Sequence, residues 1–355
     1  MWCKLQLCLL RTAIILAALL GIAAPANASI SLLIEEPFGR FGSFNPTGHA
    51  AIYLSSVCAE TPIRLRLCRA GEMGVVVSRY HRVHGLDWVA IPLIPYLYAV
   101  EDLSDVPESA SAAVKARLRD RYRRDHLLDI APDTRDGETP KGEWIQLVGS
   151  AYDRRIFGFQ LDTTREQDER IIAKLNDSRN RSHFNLLYRN CADFSRSLLR
   201  TAYPGSIPRN ALADFGLTTP KHLARAITRF GEEKPEVAFQ TFQIAQVPGT
   251  IPRSRNVNGI AESLVRSKKY LVPLVFMSPT TAASLLAAYV GTGRFRMPAG
   301  APEMPELSPM PPMIALNTAA IQVPPEVASS TRKFACSEME SPMPQDSILS
   351  GGGSD

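Results

Sequence analysis

Cysteine is scarce, with six residues in 355, too few to build a fold on disulfides, and none is spaced C-x-x-C, which excludes a zinc ribbon or thioredoxin-type pair. Charge of one sign is also missing: 40 Lys and Arg stand against 35 Asp and Glu, a formal +5 with no dense basic block, so nucleic acid is not an expected partner. There is no internal repeat and no excess of glycine, so a solenoid or a collagen-like chain is excluded. What is present is a hydrophobic fraction of 45%, enough for a sizeable core in one or two domains. Proline is abundant at 27 and crowds towards the C-terminus, so the last part of the chain is not expected to pack.

The N-terminus has the layout of an export signal. Lys4 and Arg11 flank the start of an apolar run at 12–24, and Ala26-Asn27-Ala28 supplies the small residues that signal peptidase accepts. Residues 1–28 are therefore read as a signal peptide cleaved after Ala28, the rival being an uncleaved anchor that adds residues 5–10 to the run. Either way the body is exported, to the periplasm or cell envelope. Cys3 and Cys8 precede the apolar run, which argues against lipid attachment. The mature chain keeps Cys58, Cys68, Cys191 and Cys336 in a compartment that permits disulfides, and the short turn between Cys58 and Cys68 suits a bridge.

Along residues 29–232 the patterns alternate between strands and helices. Residues 29–36 and 47–55 read as strands joined by a Gly/Pro/Asn-rich connection, and 63–68 with 75–77 as a β-meander across the turn 71–74. Segment 87–100 is apolar but broken by Pro92 and Pro95, which suits an edge strand or a buried loop. In 108–128, Ala110, Val114, Leu118 and Tyr122 recur every fourth residue among basic side chains; a solvated helix over the sheet is the plain reading, contact with an anionic surface the other. Residues 143–162 resemble a strand pair. Thr164 and Gln167 form a capping box for a helix facing inward through Ile171, Ile172 and Leu175. Asn190 and Asp193 fit the N-cap and third position of another helix, which puts Cys191 first in it, and Thr219-Pro220 opens a last helix.

Beyond residue 232 the texture changes. Residues 233–296 hold scattered strand-like pieces and an uncharged apolar segment at 270–291, long enough for a membrane span; Pro273, Pro279 and the cluster Ser278, Thr280, Thr281 instead suit a helical hairpin packed on the domain. Residues 297–355, rich in Pro, Met and Ser, read as a disordered tail.

Chemistry concentrates at two points. A helix start offers backbone N–H donors and a positive partial charge to the Cys191 thiol, and the Cys191 N–H with the amide of Asn190 or Asn185 could hold an oxyanion. His49, in the strand Gly48-His49-Ala50-Ala51-Ile52-Tyr53, is the natural base. Taken singly, a cysteine at a helix start and a histidine on a strand are more often structural than catalytic. The run His81-x-x-His84-x-x-Asp87 reads as a polar loop rather than a metal site, and His183 is a candidate for the site entrance only.

Together, Gly48-His49-Ala50-Ala51-Ile52-Tyr53 and Asn190-Cys191-Ala192-Asp193-Phe194 resemble, in that order, the histidine and cysteine motifs of the circularly permuted papain-like superfamily, the permuted relatives of NlpC-type peptidases that include lecithin retinol acyltransferase. The resemblance spans about residues 29–230. It implies an α+β fold, an antiparallel sheet with the cysteine helix packed on it, and leaves the C-terminal region, read from its composition as low in order, unexplained. It also implies a thiol hydrolase or acyltransferase with Cys191 as nucleophile and His49 as base then acid. The family's third polar residue sits on the strand after the histidine strand. Residues 63–68 offer only Arg64, Arg66 and Cys68 there, so Glu72 is taken for the role, with His84 or Asp87 behind it. The helix at 108–128 would be an insertion able to cover the cleft. No cofactor and no metal are implied. The expected partner is a cell-envelope peptide, lipid or acyl substrate, with membrane association through 270–291. The imperfect third residue leaves open a silent peptide- or lipid-binding module, or a membrane-anchored interaction protein.

Overall fold

The computed structural model describes residues 28–307 apart from 40–45, 82, 210–212 and 293. The signal-peptide reading and most of the Pro-rich tail therefore lie outside the described residues. Six strands form one antiparallel sheet, β1 (Ser29–Glu35), β2 (His49–Leu54), β5 (Val75–Ser78), β6 (Val89–Pro92), β7 (Ile156–Asp162) and β8 (Gln240–Ile244), in the order β6-β5-β2-β1-β7-β8. Strands β3 (Val57–Thr61) and β4 (Arg64–Leu67) pair only with each other, as a hairpin beside the sheet.

Every residue of β1, SISLLIE, is buried, the polar Ser29, Ser31 and Glu35 included, because both faces of the sheet are covered. Over one face Ile30, Leu32, Ile52 and Val77 pack against the helices α4 (Arg165–Asn176), α5 (Cys191–Ala202) and α6 (Pro220–Glu233), through Ile171, Leu198 and Leu223. Over the other, Leu33, Tyr53 and Val76 meet Tyr96 of α1 (Leu93–Tyr98), Tyr122 of α2 (Ala112–His126) and Ala151 of α3 (Ser150–Asp153). Helices α7 (Ile260–Arg266), α8 (Lys268–Met277) and α9 (Pro279–Thr292) complete nine α-helices among the described residues.

Four sequence expectations change. The strand pair at 143–162 is one strand, β7, preceded by the short helix α3. The α2 helix lies over the sheet face opposite α5, so it does not cover the cysteine. Its Arg119 and Arg123 are buried rather than solvated: Arg119 donates to Asp153 at 2.7 Å, and Arg123 to Asp120 and Asp133 at 2.8 and 2.6 Å. The fold also does not end at residue 232, since β8 adds an edge strand beside β7 and Gln243 bridges in turn to Glu303. Finally, 270–291 is not one helix. The chain turns at Ser278 between α8 and α9, and no helix among the described residues is long and apolar enough to cross a membrane.

Candidate active site

Helix α5 begins where the sequence places it. Asn190 is the N-cap, its Oδ1 accepting the Asp193 N–H at 2.9 Å while the Asp193 carboxylate takes the Asn190 N–H in return, a capping box that sets Cys191 at the first helical position. The other end of the site is built by β2. Gly48 holds φ +71°, and a Cβ there would stand 2.1 Å from the Glu35 carbonyl oxygen, so only glycine lets β2 enter its pairing beside Glu35 and present His49.

Packing α5 on the sheet brings the Cys191 thiol against the backbone N–H of Ala50, the residue after His49. The N–H groups of Ala192 and Cys191 also point at the sulfur, and these three donors lower its pKa. Burial outweighs them and pushes the thiol up to about 11. Cys191 is the one free cysteine among the described residues, because Cys58 and Cys68 are joined in a disulfide.

His49 is buried, and its ring stacks on Tyr80 with centroids 4.8 Å apart. Its Nε2 lies 2.7 Å from Ser78 Oγ on β5. Ser78 Oγ also lies within hydrogen-bonding distance of the Ala50 carbonyl oxygen, at 3.2 Å, and with its proton given there Nε2–H is the donor to it. The Nδ1 lone pair is then the basic one. Burial lowers the His49 pKa to about 4; neighbouring Glu35 raises it, and Arg154 lowers it further. Beneath the imidazole runs a buried polar row: Arg154 pairs with Glu35 at 2.9 Å, and the Tyr96 hydroxyl donates to the same carboxylate. Burial, then the Glu35 charge, drives the Tyr96 phenol well above its ordinary range.

The structure does not bring Glu72 to His49. Both Glu72 oxygens are taken by Arg66, at 2.6 and 2.7 Å, and one also accepts the Arg69 N–H at 2.6 Å. The Arg66 hydrogen bonds and then the Arg69 N–H hold its carboxyl down at about 2. Because β3 and β4 leave the sheet, the strand beside β2 is β5, and the residue facing His49 is Ser78. The two amides are placed differently: Asn190 Nδ2 donates to the Leu186 and Thr218 carbonyls at 3.1 and 3.2 Å, while Asn185 is exposed and does not line the groove described below, its Oδ1 accepting the Leu187 N–H at 2.8 Å. The donors that reach the Cys191 sulfur are the backbone N–H groups of Ala50, Ala192 and Cys191. Asp87 is held by Arg79 at 2.5 Å, and His183 is exposed and does not line the groove described next.

Cys191 opens into a groove of about 790 Å3 whose walls include Gly48, Phe184, Leu187, Leu217 and Ile260, with Tyr270 of α8 at its rim. A turn just before the cysteine carries Leu186, Leu187 and Tyr188 largely in solvent. Among the described residues, the one set of side chains grouped as for a metal is Cys58, Cys68 and Glu72, where the two sulfurs are spent in the disulfide and the carboxylate on Arg66.

No family model matches the chain, and no curated protein does. Among solved structures, the crystal structure of the type VI secretion system effector TseH aligns with a TM-score of 0.29 and 14% identity, over 62% of this chain and 95% of that one. The class defined by the coordinates themselves is an α+β protein with a six-stranded antiparallel sheet and a cysteine at the start of a helix packed on it.

Proposed function

We propose that the chain is an exported thiol hydrolase or acyltransferase acting on an amide or ester of a cell-envelope peptide or lipid. The observation that carries this is the Cys191 thiol set against the Ala50 N–H, one residue from an imidazole whose Nε2 is fixed by Ser78. Both groups are neutral at rest, because burial raises the thiol and lowers the imidazole. The chemistry is therefore general-base catalysis rather than attack by a standing thiolate. As Sγ adds to the acyl carbon, its proton passes to His49 Nδ1 and the carbonyl becomes an oxyanion facing the backbone N–H groups of the helix start. The amine or alcohol then leaves with that proton, and a thioester remains on Cys191. Water or an acceptor hydroxyl or amine attacks the thioester, returns a proton through His49, and frees the thiol.

An activated ester of a medium-chain fatty acid tests this by intact-mass measurement. An acyl adduct that vanishes in Cys191→Ala and forms about 100-fold more slowly in His49→Ala is the expected result, within the range of general-base contributions. No adduct, or an adduct indifferent to His49, rejects the enzyme. The second reading, a silent peptide- or lipid-binding module, is favoured by one observation, the thiol raised to about 11, and it expects Cys191→Ala to leave every property unchanged.

A further inference from the structure

A second cavity, of about 710 Å3, adjoins the Cys191 groove, and the two share Asn258 and Arg266. Its character is different. Five cationic side chains, Arg155, Lys221, Arg266, Arg294 and Arg296, stand in its wall against two carboxylates, Glu36 and Glu262.

Both carboxylates are already engaged. Glu36 receives Arg155 at 2.7 Å and the Ser254 hydroxyl at 2.6 Å, and Glu262 receives Lys221 at 2.5 Å and Arg266 at 3.1 Å. Arg294 and Arg296 pair with no acidic group among the described residues, and both are exposed to the cavity's solvent. A concave wall that satisfies its own acids and keeps two guanidinium forks open matches an anion with several acceptor oxygens, phosphate above all. On the far side of the shared residues the Cys191 groove is mainly apolar. One end of the combined cleft suits charge and the other suits hydrocarbon.

We propose that this second cavity is a phosphate subsite, binding a phosphomonoester or phosphodiester carried by an amphiphile whose acyl portion lies in the Cys191 groove. The assignment of the acyl end rests on the reading of Cys191 as nucleophile; the anion subsite stands by itself. A soluble organophosphate and a phospholipid headgroup share the chemistry. The surface nearby is suited to the second: Tyr270 at the groove rim belongs to α8, whose last residues Phe276 and Met277 are 83% and 85% exposed.

The test uses the full chain, the Arg294→Gln/Arg296→Gln double variant and Cys191→Ala, with glycerol phosphate followed by calorimetry and phosphatidylglycerol or phosphatidylcholine vesicles by flotation. Wild type and Cys191→Ala should bind alike, and the double variant should bind at least about tenfold more weakly, the loss of about 1.4 kcal/mol in charge-assisted hydrogen bonds. Its melting temperature should not move, since both arginines are exposed. Binding of glycerol phosphate identifies a soluble ligand, and binding of vesicles alone identifies a headgroup; either supports the subsite. Failure to bind any of these probes, or equal binding by the double variant, overturns it. Intact binding without an acyl adduct on Cys191 removes only the nucleophile and leaves the subsite.

Discussion

Ser78 Oγ stands 2.7 Å from His49 Nε2 and gives its own proton to the Ala50 carbonyl oxygen, so one hydroxyl ties the imidazole to the backbone of the neighbouring strand. With the hydroxyl proton on that carbonyl, the bond goes with the tautomer that carries the proton on Nε2 and the lone pair on Nδ1. In the proposed reaction Ser78 acts through His49 as a positioning residue, not as a catalytic one.

Ser78→Ala should leave binding in the groove alone and slow acylation of Cys191 about fivefold, since one orienting hydrogen bond is worth about 1 kcal/mol. The measurement is the acyl-adduct rate over pH. A fall in rate at constant half-saturation marks positioning, whereas an equal fall in affinity would mean that Ser78 only shapes the groove. Glu72→Ala should change neither, because its carboxylate is occupied by Arg66 and the Arg69 N–H.

That contrast shows how far the sequence reaches. The alternation around His49 and the Asn190-x-x-Asp193 cap are local signals, and β2 and α5 form where those signals place them. Ser78 is not a local signal. Chain order makes 64–67 the strand after the histidine strand, but the Val57–Thr61 hairpin partner folds away with it, held by the Cys58–Cys68 disulfide and by Asn176, whose amide bonds both the N–H and the carbonyl of Leu65 at 2.9 Å. Only the resulting pairing of β2 with β5 makes Ser78 a neighbour. The amides of Asn190 and Asn185 illustrate the same limit: residue type admits them as oxyanion donors, but the Asn190 N–H groups are given to the Leu186 and Thr218 carbonyls and Asn185 stands outside the groove. β8 falls among the strand-like pieces after residue 232, but a five-residue edge strand far along the chain carries too few alternating positions to show that it joins the sheet.

Acid should destabilise the fold through His49. Its pKa is about 4 when folded against 6.5 for the model group, so between those values the unfolded chain binds a proton that the folded chain does not. The contribution is complete above pH 6.5 and is lost as pH falls towards 4, on the order of 3 kcal/mol by linkage. Chemical denaturation at pH 7 and pH 4.5 checks this. His49→Gln should lose less stability between those two pH values than wild type, and an unchanged slope would show that other groups carry the acid transition.

Asp153 is 2% exposed and receives Lys115 at 2.5 Å and Arg119 at 2.7 Å, so Asp153→Ala strands a buried guanidinium. Removal of one partner from such a pair costs about 3–5 kcal/mol. A urea midpoint that hardly moves would mean that Arg119 finds enough compensation in the Val148 and Gly149 carbonyls it already bonds.

Asp168 carries the opposite sign. It sits in the first turn of α4, 1% exposed, and burial raises its pKa to about 6 from 3.8, against the smaller opposing effect of the Thr163 hydroxyl. Between those values the folded chain binds the proton and the unfolded chain does not, so the group favours the fold below pH 3.8 and works against it as pH rises through 6. The shift amounts to about 3 kcal/mol at neutral pH, less whatever the N-terminal end of the helix returns to the charged form. Asp168→Asn removes the ionisation while keeping the shape. It should raise the melting temperature at pH 7.5 and have little effect at pH 4, where wild-type Asp168 is already mostly protonated. Equal effects at both pH values would show that the carboxylate's charge is not what the fold resists.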